Sequence, residues 1–101
     1  MSNPPIDFLI RILQDKSIDI GVRDDAAMDL GIYDEPRVLE ALIQTAKDAE
    51  EHEMILDSCG ESIKNIWVRK GIYSRAAYNQ FTQAAKSACH IDTAVLREVD
   101  G

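Results

Sequence analysis

The sequence contains no apolar run that approaches a membrane span, and few residues of the kinds that build chemical centres. It has only two cysteines and two histidines, at spacings unrelated to a zinc site. His52-Glu53 begins like a zinc-protease helix motif, but Leu56 stands where the second histidine is required. The five glycines form no phosphate-binding loop. His52 and His90 have no neighbours in sequence that would make either a general base. Asp24, Asp25 and Asp29 could crowd a cation, but helical acids without a looped glycine read more simply as solvated surface. The expectation is a chain with no metal, no cofactor and no catalytic residues.

Cys59 and Cys89 each fall on the apolar stripe of an expected helix, where cysteine acts as a small hydrophobe rather than a disulfide partner. The opening Met1-Ser-Asn-Pro-Pro-Ile-Asp lacks a basic region and a small-residue cleavage site, so the reading is cytoplasmic with no secretory signal. At 101 residues, with 46% hydrophobic and 29% charged side chains, the composition suits one globular domain over 1–101.

Charge is absent by sign in two adjoining stretches. From Asp48 to Glu61 there is no lysine or arginine among the acids Asp48, Glu50, Glu51, Glu53, Asp57 and Glu61. From Ser62 to Ile91 there is no acid among Lys64, Arg69, Lys70, Arg75 and Lys86. The net charge of −7 disfavours nucleic acid and anionic membranes, and it favours basic protein partners through electrostatic steering.

No segment alternates long enough to read as a strand, and the periodicity is helical throughout. Helix 1 is predicted from about Pro5 to Gln14, with Ile6, Leu9, Ile10 and Leu13 inward and Phe8 and Ile12 widening the stripe. Asp19 caps helix 2 and Gly31 stops it, with Val22, Ala26 and Leu30 inward. Helix 3 starts at Pro36 and buries Val38, Leu39, Leu42, Ile43 and Ala46. Helix 4 runs from about Glu51 to Arg69, buries Ile55, Cys59, Ile63, Ile66 and Trp67, and ends at Gly71. Gly60 in its middle costs about 1 kcal/mol relative to alanine, which points to a close helix approach. Helix 5 enters through Ser74, with Tyr78 placed to staple onto Tyr73, and presents Ala77, Phe81, Ala84, Ala85 and Ala88. Asp92 caps a last short helix over Ala94 to Val99.

Part of helix 2 recurs 33 residues later, Val22, Ala26, Ala27 and Leu30 falling on Ile55, Cys59, Gly60 and Ile63. A helix-pair unit of this period marks an α-solenoid, because one pair cannot bury its apolar stripe alone. Asp19, Val22, Arg23, Ala26, Ala27, Leu30 and Gly31 resemble the first helix of a HEAT-like repeat, with Ile20 replacing the usual proline. Pro36 to Ile43 resembles the second helix. The later unit departs, with Leu56 for arginine and Cys59-Gly60 for the alanine pair. The resemblance implies an all-α fold, a short α-solenoid of about two and a half HEAT-like helix pairs. It also implies that Arg23 bonds to neighbouring turns and not to a ligand.

The stretch Ile55 to Trp67 is similar to small acidic bacterial immunity proteins with HEAT-like folds, which neutralise a toxin. That resemblance implies a protein-binding inhibitor whose partner is a basic toxin domain, a nuclease among the classes that fit. Asp24 and Asp57 lie one repeat apart and Asp57 and Glu61 are i,i+4 neighbours, with Asp25 and Glu53 extending the patch. Carboxylates so spaced can imitate phosphates in a basic cleft. Trp67, Tyr33 and Tyr73 near helix ends are candidate anchors, although Trp67 equally suits the core. A general adaptor or scaffold domain is the alternative from the same fold, and a tetrapyrrole lyase or chaperone subunit a third.

Overall fold

The computed structural model describes residues 4–90, and these fold as six α-helices with no strand among them. They are α1 (Pro4–Gln14), α2 (Ile20–Leu30), α3 (Pro36–Ala46), α4 (Glu53–Lys70), α5 (Arg75–Gln80) and α6 (Gln83–Cys89). The helix expected over Ala94 to Val99 lies outside the described residues. The Cα atoms fill a flat slab with extents of 39 × 32 × 15 Å. In it α1 packs beside α2 and α3, while α4 contacts α2, α3 and α6.

Four of the six helices begin at a side chain that accepts a free amide, Asp19, His52, Ser74 and Thr82, and the other two begin at proline, which has no amide hydrogen to satisfy. The Asp19 carboxylate accepts from the Gly21 amide at 3.0 Å, and proline opens both α1 and α3. His52 caps α4 by accepting the Met54 amide at its Nδ1 (3.1 Å), so the helix begins at Glu53, two residues beyond the expected start at Glu51. Gly71 closes α4 in the left-handed region at φ 67°, where a side chain would be strained. Gly31 ends α2 for a different reason. Its φ is an ordinary −64°, but a Cβ there would sit 2.8 Å from the Ser62 Oγ of α4.

The core is a continuous cluster that includes Ile6, Leu13, Leu30, Val38, Leu42, Ile55, Ile63, Ile66 and Trp67. Small residues let α2, α4 and α6 close on one another. Ser62 Oγ donates to the Ala27 carbonyl at 2.7 Å across the α2–α4 contact. On the opposite flank of α4, a Cβ on Gly60 would overlap the Ala85 carbonyl oxygen of α6. The close approach expected at Gly60 is therefore made by α6.

Several expectations are corrected: Phe8, expected to widen the inner stripe of α1, is 61% exposed. Val22 is 47% exposed and does not face the core; its neighbour Arg23, 3% exposed, turns inward in its place. The guanidinium is held there by the Leu13 carbonyl and by Glu51, so its polar groups are satisfied without apolar neighbours. The single helix 5 is also two helices. Phe81 is extended, its ring stacked on Trp67 at 6.0 Å, and Thr82 turns its amide onto the Ala46 carbonyl at 2.9 Å. Thr82 then caps α6 with its hydroxyl, accepting from the Ala85 amide. Tyr73 meets Trp67 edge-on at 6.3 Å. Leu39 and Ile43 of α3 are only half-buried, while Ala41 and Thr45 join Val38 and Leu42 inside.

Candidate protein-binding face

Five acids are neutralised where they stand: Asp7 and Glu35 by Arg37, Asp34 by Arg69, Asp48 by Lys16, and Glu51 by Arg23. Asp25, Glu53, Asp57 and Glu61 are exposed and form no ion pair among the described residues. They lie on the outer sides of α2 and α4, the sides turned away from the α4 residues Ile55, Cys59 and Ile66 that enter the core.

Of the six acids between Asp48 and Glu61, two are thus occupied internally. Asp48 takes the Lys16 ammonium at 2.6 Å and the Glu50 amide, which hold its carboxyl below the usual carboxylate range. Burial raises the Glu51 carboxyl, but Arg23 and the His52 amide outweigh it and bring it below its ordinary value. Arg23 and Glu51 side chains are each 4% exposed, bonded Nη1 to Oε1 at 2.9 Å and Nη2 to Oε2 at 2.5 Å. This is a bidentate clamp tying the end of α1 and the loop before α4 to α2.

Asp24, expected beside Asp57, sits across from the next residue of α4: its carboxylate accepts the Ser58 hydroxyl at 2.5 Å. It is half-buried, so it holds α2 against α4 and leaves Asp57 and Glu61 to face outward. Trp67 is 1% exposed and lies in the core between Phe81 and Tyr73, which removes it from the surface anchors. Tyr33 and Tyr73 are half-buried and pack against the core. The Tyr33 carbonyl accepts from Arg69, which also takes the Gly31 carbonyl and the Asp34 carboxylate.

Sequence reasoning missed the apolar component of this face. Met28 on α2 and Met54 and Val68 on α4 are each half or more exposed on the helices that carry the free carboxylates, and Ile32 in the turn after α2 is 70% exposed. Met28 borders a shallow depression between the two helices, with Ser58, Glu61, Ser62 and Asn65. The signal was present in the spacing of Met54, Asp57, Glu61 and Val68, which places two apolar residues on the same face as the acids. Flexible thioethers among fixed charges can fill a partner's irregular pockets while the charges orient it.

Groups with reactive potential are occupied elsewhere. The Cys59 thiol is wholly buried, and burial pushes it up to about 12, assisted by Glu51 and Asp24, so it is protonated at neutral pH. His52 is engaged as a helix cap and His90 ends α6 at φ 48°. Among the described residues no three His, Cys, Asp or Glu side chains are grouped to hold a metal ion, and no helix is long and apolar enough to cross a membrane. No protein-family model, curated protein or solved structure matches the chain.

Proposed function

We propose that this chain is a protein-binding inhibitor: an immunity protein that neutralises a cognate bacterial toxin by covering a basic active-site or substrate-binding surface. It acts in the cytoplasm and catalyses no reaction. The observation that carries the reading is the unpaired carboxylate set Asp25, Glu53, Asp57 and Glu61, exposed beside Met28 and Met54 on adjoining helices. Five acids elsewhere are matched with internal bases, whereas these four stand exposed beside apolar side chains, where a partner's lysines and arginines can pair with them.

The reading takes the six helices as a short HEAT-like stack, since such stacks serve as binding surfaces. The contacts in its favour recur at repeat spacing: Asp7 with Arg37, Asp24 with Ser58, and Ala27 with Ser62. In this arrangement α1 stands beside α3 as α2 stands beside α4. The buried Arg23, bonded to the last turn of α1, matches the role that the HEAT-like resemblance implies for it.

The test is capture of partners from the native host with the wild-type chain and with an Asp57→Lys/Glu61→Lys double variant. The reading requires one stoichiometric partner that carries a toxic domain and is lost from the variant. Retention of the same partner by the folded variant would move the interface off this face. Absence of any toxic domain among the captured proteins would end the immunity assignment.

A further inference from the structure

A second unpartnered surface runs along α3, away from the acidic face. One flank of α3 is taken by α1, where Arg37 pairs with Asp7. The other flank opens as a groove of about 400 Å³, walled by Pro36, Leu39 and Ile43, by Ile66 of α4 and by Ile72, which follows that helix. Leu39 and Ile43 are only half-buried and Ile72 is 44% exposed, so the apolar wall is incomplete.

Four charged residues line this groove; Asp34 pairs with Arg69 and Lys70 donates to the Asp34 carbonyl, which leaves two with no such partner. Glu40 and Lys47 are both exposed, both line the groove, and neither has an ion pair among the described residues. They stand seven residues apart, two helical turns or about 10 Å along one side of α3, with Ile43 between them. A two-fold axis through Ile43 reverses this order in a second molecule. An antiparallel α3 then brings the second copy's Lys47 to Glu40 and the second copy's Glu40 to Lys47.

We infer that this groove is the surface through which two copies of the chain pair, α3 against α3 about a two-fold axis. The spacing is self-complementary only under that symmetry, because each opposed charge pair occurs twice and Ile43 meets itself at the centre. Lys47 and Lys70 on this border offset the acidity that otherwise makes two copies repel, and Asp57 and Glu61 lie on the side of α4 turned away from α3. A dimer formed here presents two acidic faces, both free to bind.

Native mass spectrometry and sedimentation velocity on the purified chain test the pairing. The wild type is dimeric at micromolar concentrations. Glu40→Lys alone places lysine against lysine, and Lys47→Glu alone places glutamate against glutamate. Each weakens its homodimer by about tenfold or more. An equimolar mixture of the two variants restores both opposed pairs and yields the heterodimer at wild-type affinity. Ile43→Glu abolishes pairing while circular dichroism stays unchanged, and Asp57→Lys/Glu61→Lys leaves pairing intact. A wild type that remains monomeric overturns the inference. So does an equimolar mixture that shows no preference for the heterodimer, or a dimer lost in the Asp57/Glu61 variant.

Discussion

Replacing Glu51 with glutamine removes one negative charge from a site that is otherwise sealed. Arg23 remains 3% exposed, and its remaining fixed acceptor is the Leu13 carbonyl, reached by Nε at 3.1 Å and Nη2 at 2.7 Å. A neutral amide can accept one bond from the guanidinium, but it presents its NH₂ group toward the other arm. Removing one member of a buried pair costs about 3–5 kcal/mol because the survivor is an uncompensated charge. Glu51→Gln should sit at the lower end of that range, and Glu51→Ala at the upper end. The sign of the pH dependence follows from the carboxyl being held below its ordinary value of 4.5. The folded state binds the proton less readily than the unfolded chain, so the contribution is fully present above about pH 4.5. It is lost as pH falls through the folded-state value. Urea unfolding followed by far-ultraviolet circular dichroism, at neutral pH and at about pH 3, measures both effects. Wild type should lose stability over that interval, and Glu51→Gln should lose distinctly less. A loss below about 0.5 kcal/mol at neutral pH would refute the reasoning, as would an unchanged pH dependence in the variant.

Gly60→Ala should destabilise by about 1–3 kcal/mol, read by thermal melting, because its Cβ displaces the α6 backbone at Ala85. Leu30→Ala and Ile63→Ala should each cost about 2–5 kcal/mol in urea unfolding, both residues being wholly buried in the core. Cys59 should resist thiol reagents in the native state and react on unfolding, since burial keeps it inaccessible and protonated.

The helical class and most helix ends were legible because local chemistry sets them. Asp19, Pro36, Gly71 and Ser74 each act where propensity and capping place them. The misreadings arose where a tertiary contact overrides the local pattern. Val22 looks inward by period, but a one-residue rotation of α2 buries Arg23 because the Leu13 carbonyl and Glu51 await its guanidinium. The alanine-rich run after Ser74 reads as one helix. Stacking of Phe81 on Trp67 and the bond from Thr82 to Ala46 divide it, and neither partner is near in sequence. At the candidate site, the exposure of Asp57 and Glu61 follows from their helical spacing off the apolar stripe. The occupation of Asp48, Glu51 and Asp24 by Lys16, Arg23 and Ser58 was not legible, because those partners lie on other helices and loops.

The unpaired carboxylates of α2 and α4 are the proposed docking face for a basic protein. The most direct test is the association rate with the captured partner as a function of salt, for wild type and for Asp57→Lys/Glu61→Lys. Wild type should associate rapidly at low ionic strength and slow steeply toward 1 M salt, where the Debye length is about 3 Å. The charge-reversed variant should associate slowly at low salt, and should fail to protect cells that express the toxin. Equal rates for the two proteins, unaffected by salt and with full protection retained, would contradict the central claim.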